Sequence, residues 1–403
     1  MTPDIIKLDI AQTLAIAAVL LVVGEFVKKR INILERFFIP GPVIGGLIFS
    51  IIALIGYQTQ TFEFEFYANI RNLLMMVFFT TIGFSASLEL LKKGGVGVAL
   101  FLLCAAILVV IQNGAGVMLA QALGLHPLIG VAAGSVSLTG GHGTSAAFGP
   151  ILEQAGAAAA LPAAIAASTW GLVTGCLIGG PIGTLLMKRR QLQPVPLGAK
   201  TGSYDPADLT TARETQVTNE RTVMYAVLLI VIAMGIGTLF GPFVKRFGIT
   251  LPSYIGPMLV AAVMRNVIDW KNLTLPTKQI EVAGNISLSF FLCMALMSMK
   301  LWELAAIAGP LLIILVVQTV IMGFYAYFVT FNMMGRDYDA AVLAAGHCGF
   351  GLGATPNAMA NMDAFTARNG PSVKAFFVLP LVGALFIDFV NATIITTFIS
   401  FFN

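Results

Sequence analysis

The chain has 403 residues, 58% hydrophobic and 10% charged, with a mean hydropathy of +0.90. A soluble domain carries about 25% charged residues, so this composition excludes a soluble globular protein and indicates a polytopic membrane protein. The net charge of +4 is small and its basic residues cluster in short loops, which argues against nucleic-acid binding.

The opening Met1-Thr2-Pro3-Asp4 lacks the basic region of a signal peptide, and no cleavage site is evident, so the first apolar run is expected to be a retained span. A span needs about 17–25 mostly apolar residues. In the first half, spans are expected near 9–27, 38–57, 72–91, 97–122 and 162–187. In the second half they are expected near 222–243, 251–268, 280–302, 306–331 and 375–400. Each half also carries a glycine-broken segment, near 128–150 and 340–362. The polar stretch 188–221 reads as a cytoplasmic linker between an N-terminal half, 1–187, and a C-terminal half, 222–403. The four cysteines, Cys104, Cys176, Cys293 and Cys348, lie in apolar segments and read as small buried hydrophobes rather than disulfide partners.

Lys and Arg in short loops set orientation. Lys28, Lys29, Arg30 and Arg36, then Lys92 and Lys93, then Lys188, Arg189 and Arg190 belong to the cytoplasm. The loop 58–71, with Glu63 and Glu65 against Arg71, suits the outside. These assignments agree only if 128–150 enters and leaves on one side, as a re-entrant hairpin. The same parity makes 340–362 a hairpin from the cytoplasm and puts both termini outside. Lys245 and Arg246 fall on the outer side of this scheme, against the rule.

The halves are related by a constant offset of 212 residues. Pro40 meets Pro252, Phe78-Phe79 meets Phe290-Phe291, Ala132-Ala133-Gly134 meets Ala344-Ala345-Gly346, and Gly171 meets Gly383. With five spans each, an odd number, the halves must be inverted. The expected fold is therefore all-α, two inverted five-span repeats, each with a re-entrant glycine-rich hairpin. Paired broken segments in inverted repeats mark a secondary transporter with its site near the midplane.

The stretch 341–358 contains Gly346, Gly349, Gly351, Gly353 and Pro356. Each glycine costs a helix about 1 kcal/mol against Ala, and Pro removes a donor, so one smooth helix is not expected. Broken backbone at membrane depth must be buried in protein or line a wet cavity. Its free N–H groups attract carboxylates, and its carbonyls and hydroxyls suit a hard cation. The substrate-site candidates are Ser135, Ser137, Thr139, Gly140, Gly141, His142, Gly143 and Thr144 in the first segment. In the second they are His347, Gly349, Gly351, Gly353, Thr355 and Asn357. The competing reading is close helix packing through small residues.

Asp388, midway through the last span, costs about 2.5–3.5 kcal/mol to insert ionised and needs a compensating partner. With Asn391, and with Asn285 and Ser287, whose oxygens have counterparts in Thr80, Thr81 and Ser85 of the first half, it forms the cation-site candidate. Gln112, Asn113 and Gln318 also lie within spans, where hydrogen bonding between helices accounts for them. His142, His347 and Cys348 lack metal-ligand spacing, so sodium is the one metal expected. No phosphate-binding loop occurs and no organic cofactor is implied.

At 134–144, 294–304, 345–356 and 386–392 the sequence resembles the bacterial sodium/glutamate symporter family, and the resemblance covers nearly the whole chain outside 188–221. The resemblance implies a homodimeric inner-membrane symporter, not an enzyme, that couples sodium entry to L-glutamate uptake and moves its substrate domain elevator-fashion. It maps the family's glycine motifs onto Gly140-Gly141-His142-Gly143 and Gly349-Phe350-Gly351-Leu352-Gly353. The second is not a strict Gly-Gly-x-Gly. The alternatives are a symporter of aspartate or a di- or tricarboxylate and, in other classes, a passive channel or an intramembrane enzyme.

Overall fold

A computed structural model describes residues 4–193, 219–240 and 253–402. Lys245, Arg246, Pro252 and most of the 188–221 linker lie outside the described residues. In the first half the helices are α1 (Ile10–Arg30), α2 (Asn32–Arg36), α3 (Gly41–Thr59), α4 (Ala68–Ser85), α5 (Leu88–Ala122), α6 (Pro127–Ala132), α7 (Gly141–Gln154) and α8 (Ala160–Arg190). In the second they are α9 (Glu220–Thr238), α10 (Ile255–Trp270), α11 (Thr277–Met297), α12 (Leu301–Tyr325), α13 (Tyr338–Leu352), α14 (Thr355–Asn369), α15 (Val373–Leu381) and α16 (Ile387–Phe402). A π-helical segment, Ala326–Thr330, continues α12, and a second, Val382–Phe386, joins α15 to α16. The chain is a mostly helical membrane protein. Seven of the described helices are long and apolar enough to cross a membrane.

Three expected spans fall short of that measure. Asn69 and Arg71 dilute α4, α10 follows undescribed residues, and the π segment divides the last span. Element starts pair across the halves: Ile10 with Glu220, Gly41 with Ile255, Ala68 with Thr277, Leu88 with Leu301, Pro127 with Tyr338, and Ala160 with Val373. Each pair lies within three residues of the 212 offset.

The chain divides into two compact units. The first comprises 1–85, 142–165 and 218–309. Here α1 crosses α3 where Gly24 meets the backbone of Gly41 and Gly45, and α9 crosses α10 where Gly237 meets Gly256 and Pro257. A Cβ at Gly24 or Gly237 would collide with the facing backbone. Lipid gives helices no hydrophobic reason to associate, so close approach at small residues is what brings van der Waals contact. One apolar cluster joins Ala17 and Leu20 of α1, Phe49 of α3, and Cys293, Met294 and Met297 of α11. A second joins Leu229 and Ala233 of α9, Ala261 of α10 and Phe84 of α4. The two clusters use corresponding helices of the two halves.

An element absent from the all-α expectation also lies in this unit. Strand β1 (Asp4–Lys7) pairs in parallel with β2 (Phe62–Glu65). The alternation Phe62-Glu63-Phe64-Glu65 turns its Phe side chains inward, where Phe64 meets Phe49, and its Glu side chains outward. Lys7 pairs with Glu65 at 3.1 Å. The ribbon places the N-terminal segment beside the 58–71 loop. Arg71 donates to Ser298 at 3.4 Å and Tyr57 stacks on Trp302 with centroids 3.9 Å apart.

The second unit comprises 86–141, 166–217 and 310–403. On α8, Gly171, Gly175, Gly179 and Gly183 recur every fourth residue and form one ridge. The ridge packs α8 onto α13: a Cβ at Gly171 would collide with the Leu352 carbonyl, one at Gly175 would sit 3.0 Å from the Cys348 carbonyl, and one at Gly179 2.6 Å from that of Ala345.

The stretch 341–358 is interrupted as expected, but at one place only: α13 runs unbroken through Gly346, Gly349 and Gly351 and ends at Gly353–Ala354, after which α14 starts with Pro356 in its first turn. The glycines are contacts, not breaks. A Cβ at Gly346 would meet Met362 at 2.8 Å, at Gly349 the Asn357 backbone at 2.7 Å, and at Gly351 Leu108 and Met322 at 2.7 Å. Packing offsets their helix cost.

Candidate functional site

Within the second unit, two interrupted segments are held by side chains of α5. The first leaves α6 at Ala132, passes through turns over 133–140, and begins α7 at Gly141, whose φ of +64° favours glycine. Gln112 works in both directions. Its amide N–H donates to the Gly351 carbonyl at 2.6 Å, and its side-chain oxygen accepts from Thr139 Oγ at 2.8 Å. Gln318 Nε2 donates to the Gln112 main-chain carbonyl at 2.7 Å. One side chain therefore joins the turn of the first segment to the end of α13.

The neighbouring Asn113 accepts from Ser135 N–H at 2.9 Å. On the other side of that residue, Asn391 Nδ2 donates to the Ser135 carbonyl at 3.1 Å. These partners fix the amide orientations, since a main-chain N–H requires an oxygen and a carbonyl requires an N–H. What is left over is informative. Asn113 Nδ2, Ser135 Oγ and Asn391 Oδ1 are buried with no hydrogen-bond partner. Buried polar groups are normally satisfied, so three such atoms on Ser135 and its two partners are unused polar capacity.

Asp388 lies one turn before Asn391 on α16. Among the described residues its carboxylate has no hydrogen-bond donor or ion-pair partner. An ionisable group within a span without a partner is a functional-site candidate by default.

The second interruption offers donors. Ala354 is extended, and α14 has no side-chain cap at its N-terminus. The N–H groups of Thr355 and Asn357 belong to its first turn, where no intrahelical acceptor exists. Asn357 anchors the turn through Nδ2, to the Leu172 carbonyl at 2.9 Å and Cys176 Sγ at 3.0 Å, and leaves Oδ1 unpartnered. Ala354 and Thr355 remain partly accessible.

The base of the second segment is closed on itself. Ser372 Oγ donates to Asp339 at 2.6 Å, the Tyr338 hydroxyl donates to the Gly370 carbonyl, and Lys374 reaches the Met334 carbonyl at 3.1 Å. Asp339 lies at this base, outside the spans. Burial pushes its carboxyl above the usual carboxylate range, against the Ser372 hydroxyl, which lowers it.

The remaining sequence candidates scatter. Ser137 accepts at its carbonyl from Ser168 at 3.2 Å. Gly353 packs on Leu172 at 3.2 Å. His347 is fully buried, bonded to Thr330 at 2.8 Å and ringed by Phe101, Tyr325 and Phe350. His142, Gly143 and Thr144 belong to the first unit, as do Asn285 and Ser287. Gly140 and Gly141 stay in the second. Asn285 is exposed and Ser287 buried on α11, and neither shares a unit with Asp388 and Asn391. Gln112 and Asn113 stand out in sequence as adjacent amides in an apolar span. Their contacts with the interrupted segments are visible only in the fold.

The model of the family described as sodium/glutamate symporter matches residues 6–371. A Haemophilus influenzae protein named sodium/glutamate symporter is 42% identical over 386 residues, covering 95% of each chain. The Escherichia coli protein of the same name is 41% identical over 394 residues, covering 97% of this chain and 98% of its own. A Shigella flexneri protein of that name matches at the same identity and coverage. These relatives are named as transporters, not enzymes, and the chain belongs to the sodium/glutamate symporter family.

Proposed function

We propose that this protein imports L-glutamate into the cell by coupling it to sodium entry. The observation that carries the reading is Asp388, an unpartnered carboxylate within the last span, one turn from the free Oδ1 of Asn391. Sodium binds there as coupling ion, between hard oxygen donors. Asn391 also holds the Ser135 carbonyl, and Asn113 the Ser135 N–H. Ion occupancy therefore orders the first segment at the point where its hydroxyls meet substrate. A substrate carboxylate is met by the N–H groups of Thr355 and Asn357 at the start of α14, which carries the positive end of its dipole. Ser135, Ser137 and Thr139 supply hydroxyls. By linkage, the factor by which sodium tightens glutamate binding equals the factor by which glutamate tightens sodium binding.

Two inverted repeats are supported by the paired element starts and by the corresponding glycine crossings. Re-entrant geometry for 338–369 is supported by its closed base. It is supported too by arms of 15 residues, about 22 Å each, short of the ~30 Å hydrocarbon core. Spans four and five of both halves share a unit with 338–369, and spans one to three share the other. Elevator motion of the former is the mechanism this division favours. A homodimer in the inner membrane with both termini outside completes the proposal.

The test is uptake of labelled L-glutamate into proteoliposomes with and without an inward sodium gradient. Accumulation above the outside concentration only with sodium is expected. Sodium-independent equilibration, or competition by citrate-like anions but not by glutamate, overturns it.

A further inference from the structure

We propose that the lipid-facing groove between α8 and α12 is a binding site for an anionic phospholipid. The groove has a volume of about 520 Å³ and is walled by Leu177, Ile182 and Leu185 on one side and Val320, Phe324 and Phe328 on the other. Phe324 and Phe328 stack at 6.0 Å with rings 9° apart, giving that wall a flat apolar face. The floor is open where α12 carries Gly323, since a Cβ there would have only Ile182 within reach, at 3.5 Å. Trp170 Nε1 donates to Thr319 Oγ at 3.0 Å, tying the two helices together beside the groove.

The groove changes character at its other end. There it reaches Arg189, and it shares Pro181 and Leu185 with a second cavity of about 540 Å³ that Lys188, Arg368, Thr184 and Asn369 line. Lys188, Arg189 and Arg368 are exposed, and none has an ion-pair partner among the described residues. An apolar slot that opens onto three unpaired cations is complementary to an acyl chain bearing an anionic headgroup.

Dimensions agree with that occupant. From Leu177 to Arg189 is twelve helical residues, about 18 Å at 1.5 Å each. Half of a ~30 Å hydrocarbon core is about 15 Å, so the slot is long enough for one leaflet's acyl chain with its cations at the headgroup end. Basic pockets between spans on the cytoplasmic side attract anionic headgroups, by about fivefold for each Lys or Arg. A packed protein helix would have to leave these cations uncompensated or bring carboxylates of its own. The inference rests on the chain spanning a membrane and is independent of the ion and the substrate.

The experiment is native mass spectrometry of the intact protein, purified in detergent and titrated with palmitoyl-oleoyl phosphatidylglycerol or phosphatidylcholine. The wild type is expected to retain one phosphatidylglycerol per chain well above phosphatidylcholine. Lys188→Gln/Arg189→Gln/Arg368→Gln should abolish that preference, a loss of up to about a hundredfold at fivefold per cation. Gly323→Phe, which fills the slot and leaves the cations, should lower retention of both lipids. Equal retention of the two lipids by the wild type overturns the proposal without any variant, as does a second copy or the chain's own linker excluding both. A triple variant that elutes as the wild type yet keeps the preference also overturns it.

Discussion

Replacing Gln112 by Met keeps its length and volume but removes both the donor to Gly351 and the acceptor for Thr139. Side-chain hydrogen bonds between membrane helices average about 0.6 kcal/mol, so the two bonds alone amount to about 1.2 kcal/mol. Leaving a buried acceptor unpaired adds about 1–3 kcal/mol. Thr139 Oγ already lies 3.5 Å from the Gly351 carbonyl and can turn to it, which limits that penalty. The expected loss is about 2–3 kcal/mol, a fall of roughly 4–12 °C in melting temperature for a unit of this size. Thermal unfolding in detergent measures it. Thr139→Val should lose less, because Gln112 keeps its bond to Gly351. The double variant should cost clearly less than the sum of the two single losses, since both remove the same bond. Losses additive within about 0.5 kcal/mol would refute the bridge.

Asp388→Asn should abolish the sodium dependence of glutamate uptake; unchanged apparent sodium affinity would remove this residue from the ion site. Gly171→Ala, whose Cβ would collide with the Leu352 carbonyl, should be among the most destabilising single changes on α8. Gly235→Ala on α9, with nothing within 4 Å of its Cβ, should match or exceed the wild type by up to about 1 kcal/mol of helix propensity. Equal melting temperatures for the two variants would contradict the packing of α8 on α13. For Asp339, burial places the folded pKa above the unfolded value near 3.9. An acid shifted upward contributes most below its unfolded pKa, and stability falls as pH rises through the folded pKa. Asp339→Asn keeps an acceptor for Ser372 and loses that slope. The variant should therefore gain on the wild type as pH rises from about 4, and a parallel pH dependence of the two melting temperatures would contradict the shift.

The spans were legible because apolar length is a local property. Expected and observed bounds agree within a few residues for α1, α3, α8 and α11's start. The offset of 212 was legible for the same reason, since it needs no contact to be seen. Residues 62–65 were not legible as a strand. Four residues of alternation are too few to separate from a loop, and the partner segment at 4–7 lies far away in the chain. Propensity predicts breaks at Gly346, Gly349 and Gly351 because it counts their cost and cannot count the approach of Met362, Asn357 and Met322 that offsets it. The ridge Gly171-Gly175-Gly179-Gly183 had the regular spacing of a packing face, while the irregular spacing of the α13 glycines hid theirs.

The site divides along the same line. Asp388 declares itself, because a carboxylate among apolar residues is costly wherever the chain takes it. Gln112 and Asn113 do not, because an amide in a span is explained equally well by any neighbour that completes it. What distinguishes them is the kind of partner. Asn113 and Asn391 grip the two sides of one residue, Ser135, one by its N–H and one by its carbonyl. Each spends one end of its amide there and leaves the other end free. A carboxylate in either place could not do both, since it only accepts, whereas an amide carries its donor and its acceptor on separate atoms. Both amides lie beside Ser135, and Asn391 lies one helical turn from Asp388. An ion that engages Asn391 Oδ1 therefore acts on the backbone of Ser135 through a single side chain. Under the sodium site proposed above, that contact is how the ion would set the geometry of the first interrupted segment.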